Sequence, residues 1–545
     1  MKYTHLINAP FKLALLPLAI GVLAGCMDSD KKSDSKGEQS PEAIGEPVVL
    51  TIDTTAVRNT VSESFLSVAL DMSQQVSEIN FWDDEGVFDF NRQALLNMAK
   101  QLSPGYLRVG GTDADKTFYQ VGAQKDTALP EHYEGTLTEV QTDNFFAFAK
   151  DAGLDVIFGV NAGPGTRDQD GAWLSSNSDS LMEYIESKDY AVAAWELGNE
   201  PGLMPTFHLG FEVPPAQLAD DHVVFRNRLA DSSSLFVGPD EAFAPLVGEI
   251  SLTTDSVNNL DAFYPDAFKA ALLPGAHFRT SPYLKDYLTA LPEGTLDALT
   301  WHYYPQQSVR CPLSLPASSA ELLLDPEKLN DIKQWIGQVS SYRDLYQANA
   351  EIWLGETGNA QCGGQIGISD RFVSSFWWLD ELGVLAQNDN DVAIRQTLAG
   401  SEYGLIDNLT LQPRSDYWAS VLWKMNMGHK VLSVSQDTDE NLRVYAHCHP
   451  TEQDTLSLLA INLDATTAFA LDTSAWAGKE TQQYVMTADQ LDSKTIKING
   501  HDMTVDANGD FTIPAKQLIA NDAVDVDARS MAFIQIKNAG VQACK

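Results

Sequence analysis

One short run, Ala193-Ala194-Trp195-Glu196-Leu197-Gly198-Asn199-Glu200-Pro201, is mostly apolar and closes on two polar side chains and a proline. Apolar runs with little alternation are typical of parallel strands that are covered on both faces. Seven more lie between residues 63 and 400, which gives the set Phe65–Asp71, Gly105–Gly111, Leu154–Asn161, Ala193–Pro201, Leu235–Asp240, Leu296–Tyr304, Glu351–Thr357 and Val392–Ala399. Helical patterns lie between them, with apolar residues three and four apart, at Asn91–Leu102, Asp143–Ala152, Asp179–Lys188, Ala216–Ala230 and Glu327–Ala348.

Eight strand–helix repeats predict an α/β fold in which residues 63–430 form a (β/α)8 TIM barrel. An open doubly wound sheet would instead require a glycine-rich phosphate turn after an early strand, and Gly110-Gly111-Thr112 lacks that pattern. Alternating strands follow Val431, at Asn441–His447, Leu456–Asn462, Gln482–Thr487, Thr495–Asn499 and Met531–Lys537. They predict a C-terminal all-β sandwich over residues 431–545, and we expect residues 47–62 to add a strand to it.

The first 26 residues have the features of an export signal. Lys2 and Lys12 precede Leu13–Leu23, an apolar run of 11 residues, which is too short for the roughly 20 residues that span a bilayer. The run leads into Leu23-Ala24-Gly25-Cys26, which resembles a bacterial lipobox, so we predict lipidation at Cys26. Residues 27–46 are polar and predict a flexible tether. The expected location is the bacterial cell envelope, where an N-terminal lipid anchor holds an exported lipoprotein to a membrane.

Charge excludes one class of partner. The chain has 75 acidic residues against 36 lysines and arginines, a net charge of −39 at pH 7. Nucleic-acid binding depends on clustered positive charge, so no nucleic-acid partner is expected. We expect a monomer that uses no cofactor.

The cysteines suggest disulfides rather than a metal site. Four remain after Cys26, namely Cys311, Cys362, Cys448 and Cys544. An even number in an exported protein predicts two disulfides, with three possible pairings. The alternative is a metal site at His447-Cys448-His449, but adjacent strand residues point to opposite faces and no second pair has zinc spacing. We therefore predict no metal.

Catalytic groups of such barrels collect at the carboxyl ends of the strands. In this chain those ends carry Asp71, Thr112, Asn161, Asn199, Glu200, Asp240, His302, Tyr304 and Glu356. Two of the carboxylates, Glu200 and Glu356, close the fourth and seventh strands. A carboxylic acid and a carboxylate on either side of a glycosidic bond are the usual groups of glycoside hydrolysis. Two ordinary surface glutamates are the alternative interpretation.

The flanking residues favour hydrolysis. Trp195–Pro201 and Ile352–Thr357, the latter followed by Cys362-Gly363-Gly364, resemble the acid/base and nucleophile segments of glycoside hydrolase family 79, the heparanase and β-glucuronidase group. Weaker similarities follow in the same order as in the family, at Phe65–Val68, Leu107–Thr112, Val156–Gly159, Asp416–Trp418 and Leu442–Tyr445. The resemblance covers residues 60 to 545.

The resemblance implies a retaining mechanism in two steps. Glu356 would attack the anomeric carbon and Glu200 would act as acid and then as base, with the two carboxyl groups ~5–5.5 Å apart and the pKa of Glu200 raised. Asn199 would bind the sugar 2-hydroxyl, and Tyr304 would bond the nucleophile. The other expected substrate-binding residues near these groups are Asp71, Thr112 and His302. Arg108 has two equal interpretations, as part of the site or as the neutralising partner of Glu196.

Recognition of a uronic acid follows from the same resemblance. Its carboxylate would be bound by Cys362, Gly363 and Tyr403, although the family usually has glycine at the position of Cys362. Cys448 and Cys544 match a family disulfide, which leaves Cys311 for Cys362. That second bridge would clamp the loop after the sixth strand to the carboxylate-binding loop.

The resemblance also suggests a substrate. Heparanases of the family carry a long segment, removed on activation, where this chain has only about 28 residues (113–140), so we predict a single uncut chain. Basic clusters for sulfated chains are absent from the sequence, and a strongly acidic protein repels polyanions at low salt. The expected partner is an oligo- or polysaccharide that contains unsulfated or lightly sulfated glucuronic acid. A retaining enzyme for another β-glycoside and a non-catalytic glycan-binding lipoprotein are the alternatives.

Overall fold

A computed structural model of the protein describes residues 47–76, 88–208, 210–243, 250–251, 277–278, 281–311, 317–436 and 440–545. Eight parallel strands close into a barrel, and in chain order they are Leu66–Asp71, Tyr106–Gly110, Asp155–Val160, Ala194–Leu197, Leu235–Phe243, Ala298–Tyr303, Glu351–Thr357 and Val392–Arg395. The eighth strand pairs with the first, with Ala393 opposite Leu66. Seven strands lie within their predicted runs, and the fifth extends three residues beyond its run, Leu235–Asp240, so the (β/α)8 barrel is confirmed.

Helices surround the barrel. In the described residues they are Ser73–Val76, Gln93–Lys100, Glu139–Ala152, Ser176–Ser187, Met204–Phe207, Pro215–Arg228, Ser281–Ala290, Ala320–Leu323, Pro326–Tyr346, Phe372–Gln387 and Ser415–Asn426. Short 3-10 turns lie at Thr112–Lys116, Gly122–Gln124, Pro164–Thr166, Pro201–Leu203, Ser474–Trp476 and Gln542–Cys544. The apolar spacing identifies five of the helices. It does not identify Phe372–Gln387, because this helix is buried on all sides and shows no polar stripe.

The barrel interior changes from apolar to polar along the strands. Its apolar layer consists of Ala69, Ile157, Ala194, Val237, Ala298, Trp353, Val392 and Ile394, which come from seven of the eight strands. Residues two positions apart on a strand share a face. Glu196 therefore follows Ala194 into the interior, and Thr300 follows Ala298. The change of chemistry places charged groups at the carboxyl end, above a packed floor.

The C-terminal region forms two sheets. One contains Val48–Ile52, Val434–Gln436, Phe469–Asp472 and Ala523–Val526, and the other contains Asn59–Thr60, Lys430–Leu432, Leu442–Cys448, Leu456–Asn462, Thr481–Thr487, Lys497–Ile498, His501–Asp502, Gln517–Ile519 and Ser530–Ile536. Val48 of the N-terminal strand shares an apolar core with Leu458 and Ile534 of the larger sheet. The chain before the barrel thus contributes a strand to each sheet.

The barrel and the sandwich meet at helix Phe372–Gln387. Arg443 of strand Leu442–Cys448 forms a two-pronged ion pair with Asp380, at 2.7 and 3.0 Å. The Tyr445 hydroxyl bonds the same carboxylate. A side-chain Cβ at Gly383 would lie 2.4 Å from the Tyr445 ring, so only glycine allows this helix to approach the strand so closely.

Two smaller regions bear on the sequence predictions. Residues 113–140 contain two short parallel strands, Thr117–Gln120 and Gly135–Thr138, which pair with each other.

The predicted signal peptide, the lipidation site Cys26 and the tether lie outside the described residues. Among the helices that the structure does describe, none combines the length and apolarity needed to cross a bilayer.

The close contact at Gly383 predicts the effect of adding one methyl group. Gly383→Ala should lower the free energy of unfolding by about 1–3 kcal/mol, because a crowded core responds to extra volume by shifting side chains and backbone. Chemical denaturation measures the change. The matched control is Gly337→Ala in the exposed face of helix Pro326–Tyr346, where a Cβ meets nothing within 4 Å. It should stabilise by roughly 0.5–1 kcal/mol, and equal effects of the two variants would contradict the packing argument.

Candidate active site

Glu200 and Glu356 face each other at the carboxyl end of the barrel. Glu356 lies in the seventh strand, and its Cα pairs with that of His302 in the sixth. Glu200 follows the fourth strand in a left-handed conformation, with φ of 45°. One carboxylate oxygen of each glutamate and one ring nitrogen of His302 lie within 4.8 Å of one another. This proximity agrees with the ~5–5.5 Å separation at which a second carboxylate can act as nucleophile.

A β-bulge at Gly355, in the seventh strand, sets the direction of the Glu356 side chain. The pairing register of strands six and seven shifts between Trp301 and His302, so that Gly355 is an extra residue between two paired positions. Such bulges change the direction of side chains next to active sites. A Cβ at Gly355 would lie 2.8 Å from Asp240 Oδ1, so glycine also leaves room for that carboxylate.

Arg108 joins the acidic groups. Its guanidinium donates to Glu196 at 2.8 Å, to Glu356 at 2.9 Å and to Asn199 Oδ1 at 3.1 Å, and it lies 3.4 Å from Asp240. Burial disfavours the arginine charge, but the surrounding carboxylates raise the pKa of Arg108 above its usual value. Both interpretations of Arg108 therefore hold, since it neutralises Glu196 and also contacts Glu356.

Tyr304 is the second hydrogen-bond donor to Glu356. The Tyr304 hydroxyl donates to Glu356 Oε1 at 2.7 Å, which is the contact expected from the sequence. Arg108 binds the other oxygen, Oε2. With both oxygens bound by donors, the carboxylate is fixed in orientation.

His302 lies between two carboxylates. Its Nδ1 is 3.1 Å from Glu200 Oε1, and its Nε2 is 3.4 Å from Asp240 Oδ1. Burial lowers the pKa of His302, but the Glu356 charge and the bonds with Asp240 and Glu200 raise it to about 10. An imidazolium donates from both nitrogens. One ligand atom each of His302, Glu200 and Glu356 also lie close enough together to hold a metal ion, but with both ring nitrogens protonated His302 serves instead as a donor to Glu200 and Asp240.

The environment of Glu200 differs from that of Glu356. Burial raises the pKa of Glu200, and the Glu356 charge adds to this, while His302 and Arg108 oppose it. Glu200 has the single side-chain partner His302 among the described residues. One carboxylic acid and one carboxylate side by side are the state that glycoside hydrolysis requires.

Asn199 is held by Asp115, which sequence analysis did not select, and by Arg108, for which a role in the site was one of two interpretations. Asp115 accepts the backbone N–H of Asn199 at 3.0 Å and that of Ala162 at 2.7 Å, and Arg108 bonds Asn199 Oδ1. The side-chain amide is thereby oriented, and Nδ2 remains a donor. Burial raises the pKa of Asp115 to about 7. Asp115 lies in a short turn after the second strand, where the strand-end argument gives no reason to select it.

The other predicted strand-end residues have different surroundings. Asp71 accepts the backbone N–H of Ser73 at 2.9 Å, and burial, followed by the Asp113 charge, raises the pKa of Asp71 to about 7. Thr112 is half-buried at the first position of its turn. Asn161 uses its amide within the fold, to bond Thr117 and Gly163. The Glu356 charge makes a further, smaller contribution to the raised pKa of Asp71.

The glycine-rich loop after Glu356 is tightly held. Cys362, Gly363 and Gly364 have φ of 63°, 81° and 84°, a left-handed series in which the one residue with a Cβ, Cys362, is bonded to Cys311. Arg310 Nη2 donates to the Gly364 carbonyl at 2.9 Å. The second disulfide joins Cys448 to Cys544. Both expected pairings are confirmed, and the bond at Cys448 excludes a metal site there.

Tyr403 belongs to the same region. Its ring centroid lies 6.3 Å from that of Tyr304, and the neighbouring Glu402 N–H donates to the Gly363 carbonyl at 2.7 Å. Of the groups that the structure describes, none accepts a hydrogen bond from the N–H of Cys362 or Gly363. Tyr403 thus lies next to Tyr304, which binds Glu356, and its neighbour Glu402 is bonded to the glycine-rich loop.

Comparison with known proteins gives relatives over most of the chain. The chain is 28% identical to heparanase from Bos taurus, over 89% of this chain and 90% of that protein. It is 27% identical to hyaluronoglucuronidase from Hirudo nipponia, over 91% of this chain and 99% of that protein. Among solved structures, the GH51 arabinofuranosidase from Xanthomonas axonopodis pv. citri shares the fold, with a TM-score of 0.60, 13% identity and coverage of 90% of this chain and 100% of that one.

The family profile described as "Glycosyl hydrolase family 79, N-terminal domain" matches residues 47–234 and 254–383. The match includes both glutamates and the arginine that connects their surroundings. It confirms the resemblance inferred from the motifs at Trp195–Pro201 and Ile352–Thr357. This chain is a heparanase-like member of glycoside hydrolase family 79.

Proposed function

We propose that the protein is a retaining β-glucuronidase that cleaves β-linked glucuronic acid in an oligo- or polysaccharide by double displacement. The observation that carries the proposal is the pair of glutamates within 4.8 Å of each other in unlike environments. Glu356 accepts hydrogen bonds from Arg108 and Tyr304, which hold both of its carboxylate oxygens in place. Burial raises the pKa of Glu200, which favours its proton.

In the first step, Glu356 attacks the anomeric carbon and the glycosidic C–O bond breaks. Glu200 gives its proton to the departing oxygen, so that a neutral alcohol leaves and a glycosyl ester on Glu356 remains. In the second step, Glu200 removes a proton from water as the water attacks the anomeric carbon. The Glu356 ester bond breaks, Glu356 becomes a carboxylate again, and Glu200 regains its proton.

Arg108 and His302 complete the electrostatics of these steps. Arg108 donates to Glu356 Oε2 at 2.9 Å and to Asn199 Oδ1 at 3.1 Å. The same guanidinium therefore positions both the nucleophile, Glu356, and Asn199, whose amide would donate to the sugar hydroxyl. The imidazolium of His302 stabilises the Glu200 anion that forms when the proton leaves. Preorganised charges of this kind act without reorganisation during the reaction.

The uronate carboxylate is proposed to bind at the glycine-rich loop. The N–H groups of Cys362 and Gly363 have no acceptor among the described residues, and Tyr403 lies next to Tyr304, which binds Glu356. Donors that a neutral sugar leaves unsatisfied discriminate against it. Two relatives whose names refer to glucuronic acid chemistry or to heparan cleavage, hyaluronoglucuronidase and heparanase, support this assignment. We further propose that the enzyme is a single uncut chain, exported and lipid-anchored at Cys26.

Replacing the nucleophile tests the proposal directly. Glu356→Gln should reduce kcat on an aryl β-glucuronide by about 10³-fold or more, because the covalent route is lost. The control Glu351→Gln alters an exposed glutamate at the start of the same strand and should keep activity within about twofold. Retention of a tenth of the activity by Glu356→Gln, or equal wild-type rates on aryl β-glucuronide and β-glucoside, would contradict the proposal.

The pH profile tests the role of His302. The protonated form of Glu200 is active, so kcat/KM falls as the pH rises through the pKa of Glu200. The charged His302 lowers that pKa. In His302→Gln the pKa of Glu200 should therefore rise, and the alkaline limb of the profile should move to higher pH. His501→Gln, an exposed control in the sandwich, should leave the limb in place. A shift to lower pH in His302→Gln would refute the assignment.

The Cys311–Cys362 bridge should act on substrate binding. In the Cys311→Ser, Cys362→Ser double variant we expect KM for an aryl β-glucuronide to rise about tenfold, because the carboxylate-binding donors lose their fixed orientation. Steady-state kinetics below the unfolding temperature provide the measurement. The Cys448→Ser, Cys544→Ser variant should unfold more easily by about 2–5 kcal/mol with KM unchanged. Wild-type activity in the first variant would exclude this role.

The acidic surface predicts a preference among polysaccharides. At low salt the enzyme should cleave an unsulfated glucuronic-acid polymer faster than heparin, because a chain of net charge −39 repels a dense polyanion. Initial rates of reducing-end formation at two salt concentrations provide the comparison. A preference for heparin at low salt would contradict the prediction.

A further inference from the structure

The fifth barrel strand, Leu235–Phe243, has a bulge at Asp240. The register of its pairing with the sixth strand shifts between Gly238 and Glu241, which leaves one extra residue in the fifth strand. Asp240 has a φ of 58°, a left-handed conformation that aspartate and asparagine adopt more readily than most residues. The Asp240 carbonyl accepts the N–H of Glu200 at 3.0 Å. The bulge therefore places Asp240 directly against the proposed acid.

The Asp240 carboxylate lies between two cations. Its Oδ2 is 3.4 Å from Arg108 Nη2, and its Oδ1 is 3.4 Å from His302 Nε2. Burial would raise the pKa of Asp240, but Arg108 and His302 outweigh burial and lower it, so Asp240 is an anion. Arg108 also binds Glu356. His302 also binds Glu200. One buried anion thus connects the partners of both catalytic glutamates.

Asp240 bears on how many protons His302 holds. The two ring nitrogens face carboxylate oxygens, Nδ1 that of Glu200 at 3.1 Å and Nε2 that of Asp240. Among the described residues, the structure shows no further hydrogen-bond partner for either nitrogen. Burial lowers the pKa of His302, but the Glu356 charge and the two facing carboxylates raise it to about 10. An anion at Nε2 therefore favours the doubly protonated ring.

The protonation of His302 determines where Glu200 carries its acid proton. When Nδ1 is protonated it donates to Glu200 Oε1, so the acid proton is on Oε2. The Glu200 side chain is 13% exposed, so it can reach a substrate. A neutral ring with its proton on Nε2 would instead accept the acid proton at Nδ1. That proton would then be turned away from a glycosidic oxygen.

Other titratable groups surround this pair without taking the place of Asp240. Those whose charges act on Asp240 or His302 are Asp115, Glu196, His222, Glu241 and Tyr287. Burial raises the pKa of Glu241 and lowers that of His222, so both are neutral at pH 7. Glu196 is bonded to Arg108, and Asp115 accepts backbone N–H groups. In the described part of the chain, none of the five contacts a ring nitrogen of His302.

We propose that Asp240 is a positioning residue of the active site, whose carboxylate keeps both protons on His302 and thereby leaves the acid proton of Glu200 on Oε2. Asp240 is fully buried, so it acts through His302 and not on the substrate. The use of that proton rests on the proposed glycosidase function. The protonation of His302 does not.

Nuclear magnetic resonance of the full chain with isotope-labelled histidine tests the first step without any substrate. The nitrogen signals of His302, identified by their loss in His302→Gln, should show a doubly protonated ring at pH 7. In Asp240→Asn, which suits the left-handed backbone, His302 should lose its second proton at least about one pH unit lower. The control Asp231→Asn, at an exposed position before the fifth strand, should leave the titration unchanged.

Kinetics test the second step. Asp240→Asn removes a negative charge, so His302 and Glu200 bind protons more weakly and the alkaline limb of kcat/KM should move to lower pH. This shift is opposite to that expected for His302→Gln. Because acid assistance matters most for poor leaving groups, kcat/KM for phenyl β-glucuronide at pH 7 should fall about tenfold or more. For dinitrophenyl β-glucuronide it should fall less than about threefold. A purely structural role would slow both substrates equally.

The wild-type spectrum decides the proposal if Asp240→Asn does not fold, because a neutral His302 at pH 7 overturns it and a doubly protonated one supports it. Unchanged titration of His302 in the folded variant, an alkaline limb that moves to higher pH, or equal losses on the two glucuronides would also overturn it. Wild-type enzyme that cleaves neither glucuronide would refute the proposed function, while the titration of His302 would still test Asp240.

Discussion

A buried guanidinium is the constraint on which the catalytic end of the barrel depends. Arg108 is 1% exposed and is surrounded by Glu196, Asp240 and Glu356. Removing such a charge from water costs several kcal/mol, and the cost is recovered only when partners hold good geometry. The same requirement fixes Glu356 and orients Asn199. The ion pairs that offset the cost of burying Arg108 are therefore the same contacts that fix the proposed nucleophile, Glu356.

The barrel separates two chemistries along each strand. An apolar layer with Ile157, Val237 and Trp353 closes the floor, and the charged layer lies above it. Water is displaced from the floor by packing, so the charges above interact in a medium of low polarity and perturb one another strongly. Burial raises the pKa of Glu200 as a result. Burial would lower the pKa of His302, but the neighbouring anions outweigh it and raise that pKa.

Local sequence predicted the barrel strands, whereas the geometry of the active site depends on contacts between residues far apart in the chain. The eight strand runs were found because parallel strands covered on both faces show as short continuous apolar runs, and both disulfide pairings were found through the resemblance to the family. The bulge at Gly355 and the role of Asp115 were not predicted, since both depend on which residues meet across strands. Helix Phe372–Gln387 was missed because burial on all sides removes the polar stripe that marks a helix. Arg108 could be placed in the interior, but its contact with Glu356, 248 residues away, could not.

The central claim is that Glu356 forms a covalent bond with the sugar while Glu200 moves the proton. The most direct measurement is mass spectrometry of the protein after incubation with a 2-deoxy-2-fluoro-β-glucuronide that carries a good leaving group, because the fluorine slows hydrolysis of the intermediate. The account predicts one added fluoroglucuronyl group, located on Glu356 in the peptide map. An unmodified enzyme that still turns over the unfluorinated substrate, or a label on any other residue, would contradict it.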